Sequence, residues 1–379
     1  MTTVGTLKLE NNLTLLEMQA LRQGLNLSDG HPRMPLTTSQ RAIVNSLPRL
    51  FEEAWDRTFE DVEREAQLAF LEGIGQYSAP VATGRLVSCY SSSVAIDIVA
   101  RTLAERTTHV ALVHPTFDNI PDLLRARGIT LVPASEAGLA SGEPDLRPEV
   151  GAIFVTSPNN PTGWVLGREA MLRLGRHCQC NGRVLVFDSC FRAQDERAQY
   201  DAYEALESTG VEWVVVEDTG KLWPTLELKA GFLAWGTATD LPLLEAFSDV
   251  LLSVSPVALL LIRDLALDAK EGGYASLRQL ILLNREVLRH RLDGLLTITD
   301  PESRIGVARV TLPSTGPTAW TIHEDLVREG VHTLPCDAFY WADRQLGSHQ
   351  LRVALSRSTA EVSQAGLALA SVVRGRRPA

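Results

Sequence analysis

The sequence predicts an α/β fold built on a mostly parallel central sheet, with a smaller α+β unit at the C-terminal end and an N-terminal arm. Three observations predict it. Short apolar runs at residues 86–90, 110–113, 129–132, 152–156, 184–187, 213–216 and 231–235 are separated by stretches with helical spacing. Runs that are apolar throughout belong to strands buried on both faces, and the helices between them supply the crossovers that parallel strands need. A long helical stretch over residues 257–292 follows, and beyond it alternation returns in Leu351-Arg352-Val353-Ala354-Leu355-Ser356.

The expected organisation is an arm at 1–40, a large domain at 41–295 and a small C-terminal domain at 296–379. In the arm, Thr14-Leu15-Leu16-Glu17 has the form of a capping box, and Leu16, Ala20 and Leu21 recur at helical spacing. Gly24 can end that helix, and Asp29-Gly30-His31-Pro32 reads as a turn. No internal repeat or low-complexity segment interrupts the pattern.

Composition narrows the function classes. With 379 residues, 45% of them hydrophobic and 22% charged, the chain can bury a full core. A net charge of −10 argues against non-specific binding to nucleic acid or to anionic membranes. No apolar stretch reaches the roughly 20 residues of a membrane span, since the run at 257–262 ends at Arg263 and Asp264. No basic segment precedes an apolar one at the N-terminus, so no signal peptide is expected. Five cysteines form a sparse, odd set, which predicts reduced thiols and a cytoplasmic location. Cys178-Gln179-Cys180 beside His177 lacks a second ligand pair, so no metal is expected.

The chemistry lies in an ordered set of polar residues. Ser157-Pro158-Asn159-Asn160-Pro161-Thr162-Gly163 comes first. Asp188 ends an apolar run 28 residues after Asn160, Lys221 follows the run at 213–216, and Lys229 lies eight residues later. Asparagine, aspartate, lysine and a second cation, in that order, are what a pyridoxal 5'-phosphate enzyme needs. The amine of Lys221 can form a Schiff base with the aldehyde. Asp188 can pair with the pyridinium nitrogen, Asn160 can donate to the ring hydroxyl, and Lys229 can sit on the phosphate.

These residues resemble fold type I pyridoxal-phosphate enzymes, the aspartate aminotransferase superfamily, and the resemblance covers most of the chain. It implies a fold type I transferase architecture. Three positions depart from the family: Asp218 stands where a serine is usual, Lys229 where an arginine is, and Phe191 where a tyrosine is. Ser91, Ser92 and Ser93 follow a β run and open a helix, so their backbone N–H groups form an anion site for the phosphate. The resemblance also implies that Phe117 in His114-Pro115-Thr116-Phe117 stacks on the cofactor and that Arg352 clamps the substrate α-carboxylate. Asp218, awkward beside a phosphate, is expected to face the substrate or the lysine instead.

A narrower resemblance runs nearly end to end and includes the departures at Asp218 and Phe191. It is to the oxygen-using, pyridoxal-phosphate-dependent L-arginine hydroxylases of enduracididine and azomycin biosynthesis. The residues carrying it are Asn12-Leu13-Thr14 to Glu17, Asp29-Gly30-His31, Cys89-Tyr90-Ser91-Ser92-Ser93, Val113 to Ile120, Glu217 to Thr225, and Arg352 to Arg357. It implies that the arm covers the substrate, with Thr14 and Asn160 against it and Glu17 and Asp29 on the guanidinium. His31 would then act on a proton or a water, with Lys221 and Asp218 as the other catalytic groups. The implied reaction uses dioxygen and water to give 4-hydroxy-2-oxo-5-guanidinovalerate and ammonia, in antibiotic biosynthesis. Alternatives are an aminotransferase acting on arginine or another amino acid, and an arginine oxidase or desaturase that does not hydroxylate. A regulator's effector domain fits poorly, because no helix-turn-helix precedes the large domain. A homodimer is expected, with the partner subunit reaching the phosphate near Ser253-Val254-Ser255-Pro256.

Overall fold

The computed structural model describes residues 12–22 and 24–376. Strands stack in the order Leu86–Cys89, Gly231–Trp235, Trp213–Asp218, Val184–Asp188, Ala152–Thr156, His109–His114 and Thr130–Ser135 to form a seven-stranded sheet. Gly231–Trp235 runs antiparallel to both its neighbours, and the remaining pairings are parallel. All seven expected strands form; 152–156 and 231–235 coincide with theirs, and the other five differ by one to three residues at an end. Pro133, which cannot donate to a ladder, lies on the edge strand, where that costs least.

Register sets the place of the site. Thr156 pairs with Asp188, and Asp188 with Val216, so two neighbouring strands end level and the third runs two residues further, to Asp218. In an open α/β sheet the crevice outside the carboxyl ends of the strands is where ligands bind. The helix Ser92–Arg106 starts at the same end, capped by Ser91, whose hydroxyl accepts from the Val94 N–H at 3.3 Å. Gly231 lets this helix start close to the sheet. A Cβ there would lie 2.6 Å from the Ser91 carbonyl carbon and 2.8 Å from the Ser92 nitrogen.

The helical stretch expected over 257–292 is broken. Pro256–Asp268 and Tyr274–Leu292 are joined by a wider turn, Ala269–Gly273, in which Gly272 takes φ +121°, a conformation closed to ordinary L residues. A four-stranded antiparallel sheet follows, ordered Leu334–Pro335, Gln350–Ala354, Val307–Thr311 and Thr297–Thr299. Arg352 sits on its second strand, opposite Arg309 on one side and Leu334 on the other. Among the described residues no helix is long and apolar enough to cross a membrane.

The arm is tied down at three places. Its helix, Leu13–Ala20, is capped by Asn12 rather than by Thr14: Asn12 is the extended residue before the first turn and its side chain accepts from the Leu15 N–H at 3.0 Å, whereas Thr14 lies within the helix. Leu13 and Leu16 are buried against Leu334, Phe339 and Tyr340, and the Leu13 N–H donates to the Asp118 carboxylate at 2.8 Å. Leu25–Asn26 then forms a short strand parallel to Val331–His332, next to Gly24, where a Cβ would lie 2.5 Å from the Gly330 carbonyl oxygen. The expected boundary at residue 40 falls inside the helix Thr38–Asn45, which begins at a capping box formed by Thr37 and Gln40.

Asp118 is buried, and its second carboxylate oxygen has no partner among the described residues. Burial pushes its pKa up to about 7, aided by Asp122 and Glu17 and opposed by the Leu13 N–H and Arg352. A carboxyl with a raised folded-state pKa contributes stability that is fully present below about pH 4, its unfolded value, and is lost as pH rises through 7. Asp118→Asn keeps an acceptor for Leu13 without the charge. Its melting temperature should therefore rise relative to the parent between pH 5 and pH 8, by the equivalent of about 2–4 kcal/mol. A difference that stays constant across that range in thermal melts would show that Asp118 does not titrate there.

Candidate active site

Every side chain singled out from the sequence as a site residue lines one cavity of about 340 Å³, where the strand ends meet the start of the helix Ser92–Arg106. On its floor Asp188 is buried and accepts the Cys190 N–H at 3.1 Å. Burial pushes its carboxyl above the ordinary value, while Cys190 and Lys221 pull it down. Among the described residues no arginine or lysine bonds to this carboxylate. Lys221 leaves the strand Trp213–Asp218 through a turn closed by the Leu222 N–H on the Thr219 carbonyl, and its Nζ lies 3.4 Å from His31 Nε2. Phe191 belongs to the same wall, its ring tip 3.7 Å from the place a Cβ on Gly30 would occupy.

The anion cradle is filled from within the chain. The Ser92 N–H donates to the Asp218 carboxylate at 2.8 Å, and the Gly220 N–H donates to the same carboxylate at 2.5 Å. Asp218 therefore turns towards the cradle and not towards the substrate or the lysine. A helix N-terminus attracts the nearest anion, and Asp218 is that anion here. Gly220 makes room, because a Cβ on it would meet the Lys229 chain at 2.6 Å and Asp218 at 2.8 Å. Ser93 accepts from the Asn119 amide at 2.9 Å.

Lys229 has partners of its own. Its ammonium lies 3.0 Å from His31 Nε2 and 2.5 Å from the Glu227 carboxylate. Leu226 and Glu227 take φ values of +52° and +72°, a tight reversal in the segment that carries Glu227 back to Lys229. His31 thus sits between two ammonium groups. Lys221 above all, then burial, then Lys229 hold its imidazole far below the usual histidine pKa, and it is neutral.

The remaining wall comes from the arm and from the strand that carries Arg352. The Arg352 guanidinium is 1% exposed and lies over Phe117 and Phe339, 5.9 and 5.2 Å from the ring centroids. It donates to Glu17 at 2.8 Å, to the Ser28 carbonyl, and to Asn160 Oδ1 at 3.4 Å. Asp29 accepts from the Asn26 amide at 2.6 Å, from Arg33 at 2.9 Å, from the His31 N–H at 3.0 Å and from Arg357 at 3.3 Å. Burial pushes its carboxyl up, but Arg357 and Arg33 outweigh burial and leave it below the ordinary value. Both carboxylates expected on a guanidinium thus hold arginines of the chain itself. Thr14 lines the cavity at the arm helix. Sequence reasoning gave no role to Arg357 or Asp118, although a charged residue directly after an alternating strand, and another directly before a helix, were the signals to follow.

Pyridoxal phosphate fits this cavity at both ends. The Asp188 carboxylate, buried without a cation, suits a pyridinium N–H. The turn at Ser91 already binds an anionic group, the Asp218 carboxylate on the Ser92 N–H. Lys221 lies between the two with its amine at the cavity.

Comparison with known proteins agrees. The model of the family described as aminotransferase class I and II matches residues 55–368. The solved structure of MppP soaked with the product 2-ketoarginine is 46% identical, with a TM-score of 0.89, covering 92% of this chain and 99% of that one. Aspartate aminotransferase from Thermus thermophilus shares the fold at 17% identity and TM-score 0.75, covering 95% of this chain and 96% of its own. Threonine-phosphate decarboxylase of Sinorhizobium sp. is 27% identical over 267 residues, 69% of this chain and 72% of that protein. The chain belongs to the aminotransferase class I and II family, within fold type I, and its cofactor is pyridoxal 5'-phosphate.

Proposed function

We propose that the protein oxidises L-arginine with dioxygen and hydroxylates it at the γ carbon, releasing ammonia and 4-hydroxy-2-oxo-5-guanidinovalerate. The observation that carries this reading is the 46% identity over nearly the whole chain to MppP, whose structure contains 2-ketoarginine as product. The cavity supports it, with Arg352 at one end for a carboxylate and Glu17 and Asp29 on the arm for a cation.

Bound to Lys221, pyridoxal phosphate supplies an electron sink for the bonds at the substrate Cα. Arg352 orients the α-carboxylate between two aromatic faces, with Asn160 beside it. Lys221, once its amine is released by the substrate, moves the Cα proton. Asp188 would hold positive charge at the ring nitrogen of the cofactor, and Phe117 would pack against the ring. The arm excludes water from the floor, and neutral His31, with Nε2 3.4 Å from the Lys221 amine, orients one water towards the γ carbon. Each of the two oxidations passes an electron pair to dioxygen, reducing it to hydrogen peroxide, and the product oxygens come from water. Ser91, Ser92 and Ser93 would hold the phosphate, and the Ser92 N–H is already engaged by Asp218. Lys229 supports His31 and adds positive charge nearby.

The working form is a homodimer, a reading supported by Phe51, Trp55 and Leu252, large apolar side chains that are mostly exposed (60%, 82% and 95%). The family match favours a second reading, an aminotransferase with a 2-oxo acid as acceptor. A cytoplasmic location is part of the proposal.

Three measurements test these statements. The purified protein should be yellow and bleach with borohydride, and Lys221→Ala should lose that behaviour; a colourless protein with Lys221 intact and added cofactor would contradict the site. With L-arginine in air and no 2-oxo acid, an oxygen electrode should record uptake together with ammonia release, and label from water should appear in the new hydroxyl. Turnover that ignores oxygen but requires pyruvate or 2-oxoglutarate would establish the aminotransferase instead. Sedimentation at micromolar concentration should give a dimer, and a fully active monomer would remove the assembly claim.

A further inference from the structure

Glu17 and Arg352 are assigned to opposite ends of the substrate, yet they bond each other at 2.8 Å. We infer that Glu17 is a built-in counter-ion of the carboxylate clamp, so that the site accepts a carboxylate only from a ligand that brings its own cation for Glu17. The inference rests on the arginine reading for the identity of that cation.

The geometry leaves little alternative for either partner. Arg352 is 1% exposed, and its Nε is buried without a hydrogen bond among the described residues. Its contacts to Asn160 and to the Ser28 carbonyl are to neutral groups, so Glu17 supplies the negative charge. Glu17 is itself held in place, because Leu13 and Leu16 of the same helix are buried against Leu334 and Phe339. A ligand carboxylate that takes Arg352 displaces Glu17. The freed carboxylate then keeps only Lys221 as a nearby cation, whose amine is taken up by the cofactor in the holoenzyme, and it faces Asp29, which is already occupied by Arg33 and Arg357, and the buried carboxyl of Asp118. An uncompensated buried charge is costly. A guanidinium at the far end of the ligand removes that cost, since two ion pairs replace one and no charge is left bare.

Ordinary 2-oxo acids, the amino acceptors of transamination, carry the carboxylate but not the cation. Glu17 therefore works as a specificity-determining residue that penalises acceptors and keeps the oxidative route from being diverted.

The test is titration calorimetry on the holoenzyme with two amine-free ligands, 5-guanidino-2-oxopentanoate and 2-oxohexanoate. Lacking an amine, neither can exchange with Lys221. The parent protein should prefer the guanidino acid. Glu17→Gln should tighten 2-oxohexanoate by about tenfold or more while weakening the guanidino acid. Glu17→Ala, which leaves no amide acceptor on Arg352, should shift both in the same directions. Binding of 2-oxohexanoate that is unchanged or weaker in both variants, with cofactor content and melting temperature intact, overturns the inference. A parent that shows no preference for the guanidino acid overturns the inference as well, whereas oxygen uptake with L-arginine tests the arginine reading separately.

Discussion

The roof of the site depends on one buried guanidinium. Arg357 donates to the carbonyls of Asn26, Asp29 and His31 and to the Asp29 carboxylate. These partners lie on a segment with little regular structure of its own, and a rigid fork of donors gives that segment one path. A lysine, with a single point charge, could not hold three carbonyls in fixed relation. Burying the cation has a cost, visible in a pKa brought down to about 10 by burial against the pull of Asp29. Arg357 also follows directly on the strand Gln350–Ala354 that carries Arg352. One stretch of chain thus places both the carboxylate clamp and the loop bearing His31.

Around that frame the charges are arranged in pairs: Glu17 with Arg352, Asp29 with Arg33 and Arg357, Glu227 with Lys229. Pairing is required where burial weakens the screening by water. His31 lies among three of these groups, and in the cofactor-free chain Lys221, burial and Lys229 hold its imidazole well below the usual histidine pKa. A neutral imidazole next to Lys221 can accept a proton, whereas a charged one could not. Asp218 fills the helix N-terminus where the family more often has a serine, so the cradle meets the phosphate with a carboxylate already bonded to it.

Much of the scaffold was legible in the chain. The apolar runs at 152–156 and 231–235 coincide residue for residue with strands. Asn160, Asp188, Lys221 and Arg352 all reach the same cavity. The failures were local and have local causes. Thr14 reads as a cap, but Asn12 holds the extended backbone that a cap needs. Residues 257–292 read as one helix, but Gly272 breaks it.

By itself the sequence determined the sheet, the order of its strands along the chain, and the set of groups that reach the cavity. Apolar runs and the spacing of rare polar residues after them are properties of local sequence. Only the tertiary structure decided which charge pairs with which. Glu17 and Arg352 are 335 residues apart, and Asp29 and Arg357 are 328. Partners at that separation are chosen by the packing of the arm against the C-terminal strands, where a buried charge takes the nearest complementary group that the fold brings to it.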